Sequence, residues 1–354
     1  MVKLKKNKKL KILLLPGAFH SPSARFRIWQ FVEPLKASGY EVVTRVPIPD
    51  RNYKGRKLFS NKWEKIPIKI KSIIRLISSM WMLRDLRRFD YVIANRDIVP
   101  DVKIKFLEKI VILSGVKFIF DFDDAIHLGA REKKLSEFLP ACYYITPGNA
   151  YLAEYAQKLN NNVKIIPTVV NTEKYKPISF RKPGKLRIGW SGSSSTNIYC
   201  LPILKNVIET LSFKHDFEFI IISDKDPKIN WIGVQSKFLL WRPETEITNL
   251  QHLDIGLMPL NDSPFERGKC GLKAIQYMAL GKPALVSPVG VNAEIVTHGV
   301  DGFHCYNEAD WIKYIETLIL NPDLLIDMGK NARIKIESKY SVDYAMNIWK
   351  SILL

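Results

Sequence analysis

Short apolar runs alternate along the chain with longer stretches of helical period, the pattern of βα units on a parallel sheet. In the first half the runs are KILLL (11–15), EVVTRV (41–46), YVIAN (91–95), KFIFDFD (117–123), CYYIT (142–146) and VKIIP (163–167). Arg25 to Ser38 reads as a helix closed by Gly39, because glycine is favoured just past a helix end. Residues 171–186 carry two prolines, a glycine and several charges and read as a linker, after which the pattern restarts. Strands are predicted at 187–190, 217–223, near 237–241, at 254–260 and at 283–287, and helices at about 197–213, 244–252 and 270–280. The tail from about 308 is helical in three segments. The fold class implied is α/β, with two doubly wound Rossmann-like domains facing a cleft. The first spans 1–170 and the second 187–335, and a C-terminal helix at 336–354 is expected to pack back on the first domain. In such sheets ligands bind beyond the carboxyl ends of the strands.

Length and charge sharpen this picture. A chain of 354 residues with 47% hydrophobic positions can bury two cores. Its net charge of +19 is unevenly spread. Residues 1–120 hold 27 Lys+Arg against 9 Asp+Glu, giving 27 − 9 = +18, whereas 121–354 hold 27 against 26, giving +1. The basic half therefore faces an anionic partner, nucleic acid or a membrane leaflet. Cys142, Cys200, Cys270 and Cys305 lie at least 35 residues apart, with no zinc or disulfide spacing, which points to a reducing cytoplasm. The apolar run Ile12 to Leu15 stops at Pro16, too short for a signal peptide, and no 18-residue apolar stretch occurs.

Three segments carry candidate chemistry. In DSPFERGKCGLK (262–273) a strand gives way to a glycine-containing basic turn and then a helix. Free amides at that helix start, with Arg267, Lys269 and Lys273, suit a diphosphate; a solvated basic turn is the plain alternative. The loop SGSSSTN (191–197) can wrap a phosphate or sugar oxygen through Gly192, Ser193 and its hydroxyls. FIFDFDDAIHL (118–128) ends an apolar strand in Asp121, Asp123 and Asp124. Those acids fit a metal-binding DxD motif, the nucleophile motif of haloacid-dehalogenase-type phosphatases, or a wall of a sugar-transfer site. Pairing with Arg96, Arg25 or Arg27 is their structural alternative.

GLKAIQYMALGKPALVSPVGVNAEIVTHGVDGF (271–303), IPTVVNTEKYKP (166–177), RIGWSGSSST (187–196) and PGAFHSPSARFRIWQFVEPLKASGYEV (16–42) together resemble group 1 (family 4-like) glycosyltransferases of the GT-B fold. The resemblance implies a donor site in the second domain, with amides of Gly271, Leu272 and Lys273 on the donor phosphates and no bound metal or other cofactor. The family's two glutamates fall on Gly268 and Gln276. Gln276 is then expected to bond ribose hydroxyls, Glu266 to replace the acid at the donor sugar, and Glu294 to contact ribose or sugar. On the acceptor side the resemblance places Asp123 and Asp124, one as a proton acceptor, together with Arg25, Arg27 and His127. It further implies retention of anomeric configuration.

Residues 51–88 contain 12 Lys+Arg and 2 Asp+Glu, and Ile70, Ile73, Ile74, Ile77, Met80 and Trp81 fall at helical spacing within them. That is the pattern of an interfacial membrane helix, a core helix with a basic outer face being the alternative. No nucleic-acid recognition module is found. The expected function is transfer of a sugar from a nucleotide-diphosphate sugar to a hydroxyl of a lipid-linked or polysaccharide acceptor at the inner face of the cell membrane. A sugar-nucleotide epimerase of the same fold, or a glycan-binding member of reduced activity, is the alternative.

Overall fold

The computed structural model describes residues 9–17, 21–46, 67–98, 106–129, 131–178 and 184–354. The chain divides into two compact units, 1–167 with 345–354, and 168–344. In the first unit β1 (Lys11–Leu15), β2 (Glu41–Thr44), β3 (Tyr91–Asn95), β4 (Lys117–Phe122) and β5 (Tyr144–Pro147) form a parallel sheet of order β2-β1-β3-β4-β5. β3 is buried along its full length, which is why it reads as a continuous apolar run. The predicted strand at 163–167 contributes only an isolated bridge, Val163 beside Ile145.

The predicted helix 25–38 is instead two short helices, Pro22–Arg27 and Val32–Ala37, joined by a 3-10 turn. Pro34 has no N–H to give to an earlier carbonyl, so it is tolerated in the first turn of the second helix and not in the middle of a long one. Ser21 caps the first helix by accepting from the Ala24 amide at 3.1 Å.

In the second unit β6 (Leu186–Ser191), β7 (Phe217–Ser223), β8 (Ser236–Leu240), β9 (Ile255–Met258), β10 (Ala284–Val286) and β11 (Gly302–His304) form a parallel sheet of order β11-β10-β9-β6-β7-β8. Counted from its first strand this is the 3-2-1-4-5-6 order of dinucleotide-binding sheets, and its switch point lies between β6 and β9. The corresponding switch point of the first unit lies between β1 and β3. β11 was not predicted from sequence; three residues are too few to show a period.

The segment 171–177 is no free linker. Arg333 donates to the carbonyls of Thr172 and Ala279, at 3.0 and 2.6 Å, and also to that of Tyr175, and Tyr175 is buried in the second unit. The final helix starts at Val342, and 336–339 instead finish the Pro322–Lys339 helix. Residues 345–354 belong to the first unit, where Trp349 meets Phe31 edge-on and the Leu354 carbonyl accepts from Tyr91 at 2.7 Å.

Candidate functional site

In the second unit two helix starts flank the switch point, and they differ in how they are capped. The Ser194–Ser212 helix follows β6. Its first amide, Ser194 N, donates to Asp224 at 2.6 Å, and the Ser194 hydroxyl donates to the same carboxylate at 2.9 Å. Burial pushes the Asp224 carboxyl up, but these bonds outweigh it and hold its pKa below the ordinary carboxylate range. A carboxylate thus already sits at this positive helix end. The hydroxyl of Ser193 is turned to Ser195 and Thr196. Gly192 is required for packing, since a Cβ there would stand 2.2 Å from the Trp190 ring. Gly192 and Ser193 therefore form a self-satisfied loop, contrary to the expectation of a loop open to phosphate.

The Leu272–Ala279 helix is different. Its N-cap residue is Gly271, which has no side chain of its own to cap it, and no acid lies in its first turn. Gly271 at the cap has φ +66, a left-handed conformation that suits glycine. A Cβ there would lie 2.0 Å from Ile295 Cδ1, so glycine is needed twice over. The same packing brings the short Asn292–Ile295 helix, with exposed Glu294 in its first turn, against the glycine-led end. Gly290 packs on the Arg267 backbone, where a Cβ would stand 2.6 Å from the carbonyl oxygen. The amides of Gly271, Leu272 and Lys273, the cations and Glu294 thus share one corner of the fold.

Each cation there has a protein partner. Arg267 grips Asp262 with both arms, at 2.6 and 2.9 Å. Lys269 lies 3.7 Å from Glu266 and over the Phe265 ring. Lys273 donates to Gln276 Oε1 at 3.2 Å. Glu266 is also engaged locally, receiving the hydroxyl of Ser263, the cap of the four-residue turn Pro264–Arg267; this capping-box geometry explains its place without a donor sugar.

Gln276 departs most from expectation. It is wholly buried, and its amide nitrogen donates to Tyr175 Oη and to Glu246, each at 2.8 Å. With Oε1 accepting from Lys273, both amide hydrogens are used. Gln276 therefore braces the helix from inside and does not reach a ribose. Sequence reading missed Glu246 and Tyr175 because they meet Gln276 across 30 and 101 residues.

In the first unit the acids after β4 meet arginines. Asp121, with no exposed surface, accepts from Arg27 Nε at 3.0 Å and Nη2 at 2.5 Å, from Asn95 at 2.9 Å and from Thr146 at 2.8 Å. Arg27 is equally buried and donates further to the Ile166 and Thr146 carbonyls. Arg27 is therefore a strut inside the unit and not an acceptor contact. Asp121, enclosed and ion-paired, can serve neither as a phosphatase nucleophile nor as a metal-binding acid. Arg25 lies half-buried beside it in the Pro22–Arg27 helix, its guanidinium 5.1 Å from the Phe26 ring centre.

Arg96 binds both remaining acids, Asp123 through Nε at 2.9 Å and Asp124 through Nη2. It follows β3 with φ +58, a conformation uncommon for a non-glycine residue and held here by the Arg96 amide bonding the Asp121 carbonyl at 2.7 Å. Burial raises the Asp123 carboxyl, but Arg96, Arg27 and the Ser23 hydroxyl at 2.6 Å more than reverse this and keep it ionised. A carboxylate so stabilised is a weak proton acceptor, which argues against the expected base role of Asp123; Asp124 is tied to the same guanidinium. His127 stacks on Tyr155 with ring centres 4.2 Å apart, and burial lowers its pKa. Among the described residues no group of three or more His, Cys, Asp or Glu is arranged to hold a metal ion.

Residues 231–335, which include the Gly271 helix start, match the family of group 1 glycosyl transferases. The match lies wholly within the second unit, 168–344. A stretch of 79 residues is 35% identical to a D-inositol 3-phosphate glycosyltransferase of Gordonia bronchialis, covering 22% of this chain and 17% of that relative's length. The fold is that of solved GT-B glycosyltransferases. A glycosyltransferase from Rickettsia africae superposes with a TM-score of 0.70 at 16% identity, over 98% of this chain and 99% of the other. Anabaena HepE in complex with UDP-glucose gives 0.66 at 13% identity, over 97% and 99%.

Proposed function

We propose that the protein is a glycosyltransferase that moves a sugar from a nucleotide-diphosphate sugar to a hydroxyl of a lipid-linked or cell-surface polysaccharide acceptor. The observation that carries this reading is the glycine-led, acid-free start of the Leu272–Ala279 helix inside the matched segment. As the sugar leaves, negative charge develops on the departing diphosphate. Fixed amides of Gly271, Leu272 and Lys273 and the positive helix end stabilise that charge without having to reorganise. Arg267, Lys269 and Lys273 add cations once the diphosphate displaces their present partners. Glu294 accepts sugar hydroxyls beside them. The first unit provides the acceptor surface through Arg25 and His127, with Arg96 holding Asp123 and Asp124 in place. HepE was solved with UDP-glucose, which supports a diphosphate donor. Retention of anomeric configuration is proposed from the family resemblance.

We further propose that the enzyme works at the cytoplasmic face of the membrane, attached peripherally. Among the described residues no helix is long and apolar enough to cross a bilayer, and all four cysteines are free and buried. Incubation with a panel of nucleotide-diphosphate sugars, with and without glycolipid acceptor, tests the activity. Nucleotide released only with acceptor supports transfer. A rearranged sugar nucleotide formed without acceptor would establish the epimerase instead, and donor binding with no turnover a glycan-binding role.

A further inference from the structure

The helix Ile68–Met82 is turned the opposite way from an ordinary surface helix. Its polar Ser79 is fully buried, and Met82 and Leu83 at its end are 3% and 5% exposed. Ile73, Ile77 and Trp81, by contrast, are 57%, 62% and 63% exposed, and Ile70, Ile74 and Met80 stand out with them. At about 100° per residue these six side chains fall within an arc of about 120°. They are the residues that periodicity alone assigned to the apolar stripe of an interfacial helix, with a core-facing stripe as the alternative, and the stripe faces outward. A contiguous apolar patch of this kind marks an interaction surface.

The charge around the patch selects its partner. The helix contains no acid, and the only acids in the basic segment 51–88 are Glu64 and Asp85. Residues 51–66 lie outside the described structure. At the helix end Arg84, Arg87 and Arg88 are exposed, and the Arg84 guanidinium lies 3.7 Å from the Trp81 ring centre. An aromatic ring capped by a cation beside an apolar stripe suits the boundary between headgroups and acyl chains. The helix is anchored from behind by Arg45, whose guanidinium donates to the carbonyls of Met82 and, at 2.9 Å, Arg84. It is therefore presented on a fixed base.

We propose that the outward stripe Ile70, Ile73, Ile74, Ile77, Met80 and Trp81 lies in the surface of an anionic lipid bilayer, with Arg84, Arg87 and Arg88 on the headgroups. This deepens the membrane placement proposed above and gives that placement its residues. A second copy of the chain would satisfy the apolar stripe but would bring the same arginines against each other.

The test is sedimentation of the full chain with phosphatidylcholine vesicles and with vesicles containing 30% phosphatidylglycerol. Binding should require phosphatidylglycerol at 0.1 M salt and be released at 0.5 M. Ile77→Glu should weaken it at least tenfold, and Arg87→Glu with Arg88→Glu about fivefold for each basic residue lost. Nucleotide-diphosphate binding in the absence of vesicles should stay unchanged in these variants, which separates failure of the docking face from failure of the donor site. If Ile77→Glu does not fold, the double arginine variant decides. Wild-type protein left in the supernatant, variants that bind like wild type, or a dimer dissolved by Ile77→Glu without any vesicle binding would overturn the proposal.

Discussion

Gln276 donates to the buried carboxylate of Glu246 at 2.8 Å, so an amide stands where group 1 glycosyltransferases carry a second glutamate. A glutamate at 276 would place two carboxylates in contact away from water, with the donor removed. The replacement Gln276→Glu is accordingly expected to cost about 2–4 kcal/mol of stability at neutral pH. The cost should shrink as the pH falls towards the carboxylate range and the two groups share a proton. Denaturant unfolding at pH 7.5 and 5 measures this; an equally stable variant would mean that Glu246 is not held as described.

The donor corner makes two opposite predictions. Lys273→Ala removes a cation and should weaken binding of a nucleoside diphosphate about tenfold, as loss of a charge-assisted hydrogen bond does. Asp262→Asn loosens the clamp on Arg267 and should tighten binding by up to about fivefold, the scale of an exposed ion pair. Calorimetric titration with UDP and GDP distinguishes them. If both variants match wild type, the diphosphate binds elsewhere.

Arg27 and Asp121 are buried together, and removing one partner leaves an uncompensated charge. Arg27→Ala should lose about 3–5 kcal/mol, whereas Arg25→Ala, at a half-buried position, should change stability little and acceptor kinetics more. A stable Arg27→Ala protein with a raised acceptor KM would restore Arg27 as an acceptor contact.

His127 gives the first unit a pH dependence. Burial is the main cause of its lowered pKa; Glu132 opposes it and Lys158 adds to it. A histidine depressed in the fold is favoured as the neutral ring, so its contribution is intact above about 6.5 and declines as the pH falls through the folded value. With the ring partly exposed, the loss between pH 7.5 and 5 should be roughly 1–2 °C in Tm. His127→Phe keeps the stack on Tyr155 without a titrating group and should flatten that part of the profile. An unchanged slope would assign the pH dependence to other groups.

The elements and the donor corner were legible because their signals are local. β1, β3, β4, β7 and β9 are apolar runs that any neighbouring strand would accept, and the restart of the pattern near 186 marks a second sheet without knowledge of its partners. Gly271 followed by an acid-free helix start is equally local. Pairings were harder. Asp224 reaches Ser194 across 30 residues and Arg27 reaches Asp121 across 94, and hydrophobic periodicity carries no information about which charges meet at such separations. The loop at Gly192 and Ser193 therefore read as open when Asp224 already occupies its helix end.

By itself the sequence determined the two α/β sheets, the basic bias of the first 120 residues and a glycine-led helix start after a basic turn, since each follows from composition or short-range spacing. Tertiary structure alone decided that Asp224 holds the start of the Ser194–Ser212 helix, which arginines are spent on internal acids, and that the Ile68–Met82 helix turns its apolar stripe outward. Burial and ion pairing depend on what packs against a residue from distant parts of the chain, and a periodic stripe has the same pattern whether a core or a membrane receives it.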